Sequence, residues 1–170
     1  MSARTVRIGG AAGYWGDTAN GPEQLVLHGD VQYLVFDYLA EVTMAILAKA
    51  RSKSPDAGYA TDFITQVIKP LAGEIARRKI RVIANAGGVN LAACAKAIRA
   101  ALDEAGVSLK VGTVEGDELL ERSEELRARG VREMFDGKPL PAKPWARWST
   151  SSAGRPRTGT ASPPARSPGI

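Results

Sequence analysis

A chain of 170 residues, 44% apolar and 24% charged, has the length and composition of one globular domain with its own core. No apolar run approaches the roughly 18 residues that cross a bilayer, and no signal-like segment precedes the first strand-like run; a membrane partner is not expected and a cytoplasmic location is. The net charge of +5 belongs to the C-terminal part: residues 138–170 hold six Lys/Arg and no acid, so 17 basic side chains face 18 acidic ones in the remainder, which argues against a nucleic-acid interface.

In chain order, apolar runs alternate with helical patterns. Thr5 to Gly9 reads as a first strand. Pro22 suits a first helical turn, and that helix runs to about His28 before Gly29. Val31 to Phe36 is almost continuously apolar, as in a strand covered on both faces. Leu39 to Lys53 is a second helix, and Ser54 to Gly58 a turn. Thr61 or Asp62 starts a helix reaching about Lys79, with Pro70 inside it, where it should bend or split. Ile80 to Ala84 is a third strand, Asn90 to Ala105 an Ala-rich helix, Leu109 to Val114 a fourth strand and Asp117 to Arg129 a charged last helix. Such alternation predicts α/β structure: an open, mainly parallel sheet of about four strands with helices on both faces, over residues 1–137. Residues 138–170 contain seven Pro with Ser, Thr, Arg and Gly, and no periodicity; a disordered tail is expected there.

The chemistry falls just after the strands. In an open parallel sheet these segments share the carboxyl edge, where such folds bind ligands. The Gly-rich loop Gly9-Gly-Ala-Ala-Gly-Tyr-Trp-Gly-Asp17 offers Gly10, Gly13, Tyr14 and Trp15 to a ligand, and Asp17 as its chemical group. It is neither GxGxxG nor a P-loop, and a plain turn is the alternative. Asp37 and Glu41 are four apart where strand becomes helix, a spacing that puts two carboxylates on one helical face for metal binding or divided acid and base roles. The alternative is that Asp37 caps the helix. Asn85-Ala-Gly-Gly-Val-Asn90 brings Asn85 and Asn90 around the pair Gly87-Gly88 at a helix start, which suits an anion or carbonyl oxygen unless both amides merely hold the turn. Glu115 and Asp117 repeat the pattern after the fourth strand, with Asp117 as cap the alternative. His28 reads as a surface cap and Cys94 as packing; as the single cysteine, Cys94 forms no internal disulfide. No His/Cys group has zinc spacing, and neither metal nor cofactor is assigned.

The same residues carry a family likeness. Arg7 to Asp17, Tyr33 to Met44, Gly58 to Phe63, Ile83 to Asn90 and Val114 to Asp117, with Arg132-Glu-Met-Phe135, together resemble the N-terminal region of the acyclic terpene utilisation family over roughly residues 4–140. The resemblance implies catabolism of acyclic terpenoids such as citronellol and geraniol, on a branched, acyl-CoA-linked intermediate. Family members continue past the stretch matching Pro139 to Pro144. Here the chain turns into Trp145-Ala-Arg-Trp-Ser-Thr-Ser-Ser, which reads as a truncated or frameshifted end after about residue 144. Two functions follow: the N-terminal portion of a terpenoid-processing protein, or a fragment or small-molecule-binding module without activity of its own. An exposed sheet edge would favour self-association.

Overall fold

Three short strands carry the sheet of this chain, in a computed structural model that describes residues 5–117, 119 and 122–140. Strands β1 (Ile8–Ala12), β2 (Tyr33–Phe36) and β3 (Arg81–Ala84) pair in parallel in the order β1-β2-β3. Ile8 lies opposite Tyr33 and Tyr33 opposite Arg81; at the other end Ala12 pairs with Phe36 and Phe36 with Ala84. The three carboxyl ends are therefore flush. β1 begins three residues later than its apolar run suggested, so Gly10 is a ladder residue opposite Val35 rather than part of the loop, and an irregularity follows it before Ala12.

The helices are α1 (Asn20–Leu27), α2 (Glu41–Lys53), α3 (Lys69–Arg77), α4 (Leu91–Glu104) and α5 (Ser123–Ala128). A π-helical stretch, Phe63–Ile68, runs directly into α3. Pro70, which has no N–H to donate one turn back, sits in the first turn of α3, so the helix expected from Thr61 or Asp62 to Lys79 divides into a π-helical and an α-helical part just before it.

Strand alternation sorts the side chains into two faces. Gly9, Ala11, Leu34 and Phe36 are buried, and Val82 and Ala84 pack beside them. They meet Val26 of α1, the segment from Phe63 to Ile75, and Cys94, Ala101 and Leu102 of α4 in one continuous core. Burying an aliphatic or aromatic side chain of this kind contributes about 1.5–3 kcal/mol, so this single layer of contacts holds the sheet to its helices. On the opposite face Ile8 is 64% and Ile83 55% exposed. Helices on both faces were expected, and among the described residues only one face is covered. The reason is topological. Both crossovers run the same way along the sheet, and right-handed crossovers in one direction lay their helices on one face; the second face is filled only where strand order reverses. α2 does not fill it either, since its buried Leu47 packs at Gly88 in the turn after β3.

The fourth expected strand, Leu109–Val114, joins no ladder among the described residues, which form a three-stranded sheet. Val107 and Val111 pack against the core, and Arg99 Nη2 donates to the Val111 carbonyl at 3.2 Å. Beyond them Val114 is 91% exposed. With Lys110, Gly112 and Thr113 between its apolar residues, the segment has too little apolar surface to dock at the edge of β3.

Past Gly137 the chain is still packed: Pro139 bridges Arg132 in antiparallel fashion and Leu140 is buried. The remainder of the expected tail, 141–170, lies outside the described residues. Among those residues no helix is long and apolar enough to cross a membrane.

Candidate functional site

Because β1, β2 and β3 end flush, the segments that follow Ala12, Phe36 and Ala84 leave from one edge of the sheet. Asp17, Asp37 and Asn85 are brought there by the topology, whereas Glu115, expected on the same edge, follows a segment that joins no strand among the described residues.

The first segment folds on its own acid. Asp17 N donates to the Tyr14 carbonyl at 3.2 Å, closing a turn in which Gly16, at φ +90°, takes the left-handed position that glycine adopts freely. The Asp17 carboxylate accepts from Gly13 N at 3.0 Å and from Thr18 N at 2.7 Å. These two backbone donors, Gly13 foremost, hold its carboxyl below the usual carboxylate range. Asp17 is thus a permanent negative charge that shapes the loop, with no proton to lend near neutrality.

The second segment is clamped to the third by one amide. Asn85 Oδ1 accepts from Tyr38 N at 2.7 Å, while Asn85 Nδ2 donates to Asp37 Oδ1 at 2.7 Å. Asp37 N meanwhile donates to the Ala12 carbonyl and Asn85 N to that of Phe36, so the sheet hydrogen bonds run one step past the strands. Asp37 is exposed and does not cap α2: the cap position is Ala40, with extended backbone and no side-chain hydrogen bond. For the same reason Asp37 and Glu41 do not share a helical face. The helix begins only at Glu41, and the link before it is extended.

Two residues outside the expected set complete this edge. Trp15 Nε1 donates to Asp62 Oδ1 at 2.5 Å, tying the first loop to the start of the helix that carries Phe63. Tyr38 is 5% exposed, its ring 5.6 Å from that of Phe36 and 6.1 Å from that of Phe63. Burial first, then the charges of Asp62 and Asp17, push its phenol up to about 12. Asp62 read from sequence as a helix start, and Tyr38 was hidden beside a more obvious acid. The usable signal was their membership in the blocks Tyr33 to Met44 and Gly58 to Phe63.

The other expected residues have different surroundings. Asn90 caps α4 through Ala93 N at 3.3 Å and donates to the carbonyls of Pro55 and Ala57, both at 2.7 Å, so its amide is occupied in holding the turn. Gly88, at φ +53°, lies where a Cβ would come within 2.5 Å of Leu47 Cδ1 and 2.7 Å of the Gly58 carbonyl; a Cβ on Gly87 would meet Leu91 at 3.0 Å. Gly88 N donates to the Asn85 carbonyl. The glycine pair serves close packing, and the Gly88 N–H is not free for an oxyanion. Gly10 sits in the ladder with nothing within 4 Å of a would-be Cβ, and Tyr14 is exposed. Glu41 is exposed at the start of α2. Glu115 accepts from Thr113 Oγ1 at 3.3 Å, and both it and Asp117 are exposed on a segment that joins no strand. Asp117 does not cap α5, which starts at Ser123 behind Arg122.

The edge therefore gathers Asp17, Asp37 and Asp62, and the charges of Asp62 and Asp17 reach the neutral phenol of Tyr38. None of these acids takes part in an ion pair among the described residues, and those residues contain no group of three or more His, Cys, Asp or Glu able to hold a metal. A surplus of negative charge repels anions and leaves hydrogen bonding to neutral oxygen atoms favourable.

The sequence profile described as "Acyclic terpene utilisation family protein AtuA" matches residues 6–153, which spans the sheet and this whole edge. No curated protein and no solved structure shows a match.

Proposed function

The chain belongs to the acyclic terpene utilisation family and so has a role in acyclic terpene utilisation; on that premise we propose that the carboxyl edge of its sheet handles a branched terpenoid intermediate carried as an acyl-CoA thioester. The observation that carries this reading is the Asn85 clamp. One Asp37 oxygen is fixed at 2.7 Å by Asn85, and the side chain stays exposed at the edge. A carboxylate so oriented can take a proton from a bound substrate, and Asn85 serves to aim it. Asp17 and Asp62 supply fixed charge and loop order. The partner in this reading is a small molecule, neither nucleic acid nor membrane, met in the cytoplasm; self-association through the edge of β3, unpaired among the described residues, belongs to the same reading.

The test is Asp37→Asn in a strain that lacks the gene and depends on it for growth on citronellol. An asparagine oxygen still accepts from Asn85 Nδ2, so the melting temperature should stay within about 2 °C, less than about 1 kcal/mol for a chain this size. Growth should be lost with basicity. A second reading, a binding module without chemistry, rests on the same exposure of the edge. Normal growth with the amide in place would favour it and would remove Asp37 as a proton acceptor.

A further inference from the structure

We propose that the Tyr38 hydroxyl is the hydrogen-bond donor that recognises a neutral carbonyl oxygen at this edge, and that Asp17 and Asp62 beside it make the site select a thioester against the corresponding free carboxylate. The inference rests on the terpenoid reading above and specifies which form of the substrate is held.

Three observations carry it. First, Tyr38 is 95% removed from solvent as a residue, and its ring is held against Phe36 and Phe63. Its backbone is held as well, by Asn85 Oδ1 at 2.7 Å. A phenol fixed at both ends loses little further freedom on binding. Second, its hydroxyl has no hydrogen-bond partner among the described residues and is not sealed from solvent. A buried tyrosine ordinarily satisfies that group, so an open donor at a ligand-binding edge has a partner to find. Third, the hydroxyl lies in the field of Asp62 and Asp17, which with burial keeps it protonated. It can only donate or share its lone pairs, and it faces an environment in which a further anion is unfavourable. A thioester carbonyl accepts one hydrogen bond without charge, whereas a carboxylate would bring a third negative charge against two fixed ones.

The experiment measures calorimetric binding of two probes to the full chain: the N-acetylcysteamine thioester of citronellic acid, which is neutral, and citronellate. Wild-type protein should bind the thioester at least tenfold more tightly. Tyr38→Phe keeps the ring and its packing and should weaken the thioester by about three- to tenfold, the worth of one neutral hydrogen bond. Asp62→Asn, which keeps an acceptor for Trp15, should tighten citronellate severalfold and so narrow the preference for the thioester. Thermal melts of the variants report that the fold is intact. Equal binding of the two probes by wild-type protein, or a Tyr38→Phe variant within twofold of wild type for the thioester, would overturn the assignment while leaving the terpenoid reading standing. Wild-type protein that binds neither probe nor citronellol would take down both.

Discussion

Asn85 is the residue on which the candidate site hangs, and replacing it reports on the clamp directly. In Asn85→Ala the part-buried Tyr38 N–H loses its acceptor at 2.7 Å, and the exposed Asp37 carboxylate loses its donor. An unsatisfied, partly desolvated amide costs about 1–3 kcal/mol, and the exposed bond adds little, so the expected loss is about 2 kcal/mol. For a chain of this size that is a fall of roughly 4–8 °C in melting temperature. Asn85→Asp separates the two halves of the clamp. Its new carboxylate still accepts from Tyr38 N but faces Asp37 where a 2.7 Å hydrogen bond had been. Two carboxylates that close raise the pKa of the new carboxyl above its unfolded value of about 4. A raised folded value means the protonated pair is fully stabilising below about pH 4 and that this contribution is lost as pH rises through the folded pKa. The variant should therefore approach wild type at pH 4 and fall behind it at pH 7. Urea unfolding followed by far-ultraviolet circular dichroism at the two pH values measures both effects. A loss under about 0.5 kcal/mol for Asn85→Ala, or a deficit in Asn85→Asp that ignores pH, would refute the clamp.

Gly88→Ala should cost about 2–4 kcal/mol, from the left-handed backbone at φ +53° and the collision with buried Leu47 and the Gly58 carbonyl. Gly10→Ala, with open space around it, should change stability by less than about 0.5 kcal/mol in the same chemical melts. Raising the Tyr38 phenol from 10.0 to about 12 has an alkaline consequence. The contribution is complete below pH 10 and disappears as pH climbs through 12, a decline of roughly 2–3 kcal/mol that Tyr38→Phe should abolish in pH-dependent unfolding. Burial pushes the Cys94 thiol up to about 11, and the residue is 4% exposed. It should resist a thiol-reactive disulfide reagent in the native chain for hours and react within seconds in denaturant; fast native labelling would show that α4 opens readily.

Much of this was legible in the residues. Runs such as Val31 to Phe36 and the helix pattern from Leu91 onward are local properties, because the periods of strand and helix are written in the side chains themselves. They were enough to place β2, β3, α2 and α4. Parallel connectivity was legible too, and with it the gathering of Asp17, Asp37 and Asn85 on one edge. The family blocks were read from the same residues, and the match over 6–153 agrees with them.

What a side chain does with that position depended on its neighbours. Asp37 looked equally like a cap and a catalyst until the extended link at Ala40 separated it from α2. Asn85 and Asn90 are the same residue type at two ends of one turn, yet one joins Tyr38 N to the Asp37 carboxylate and the other is consumed by Pro55 and Ala57. Gly88 looked like a backbone opening for a ligand and is instead the point where Leu47 of α2 rests. Tyr38 and Asp62, 24 residues apart in sequence, carried no pattern that linked them. The sequence by itself determined the α/β class, the parallel connection and the family, since these follow from local periodicity and from residue order. Among the described residues, the uncovered second face, the missing fourth ladder and the meeting of the Tyr38 phenol with the charges of Asp62 and Asp17 were decided only by tertiary structure, because each depends on the direction in which crossovers turn and on which distant surfaces meet.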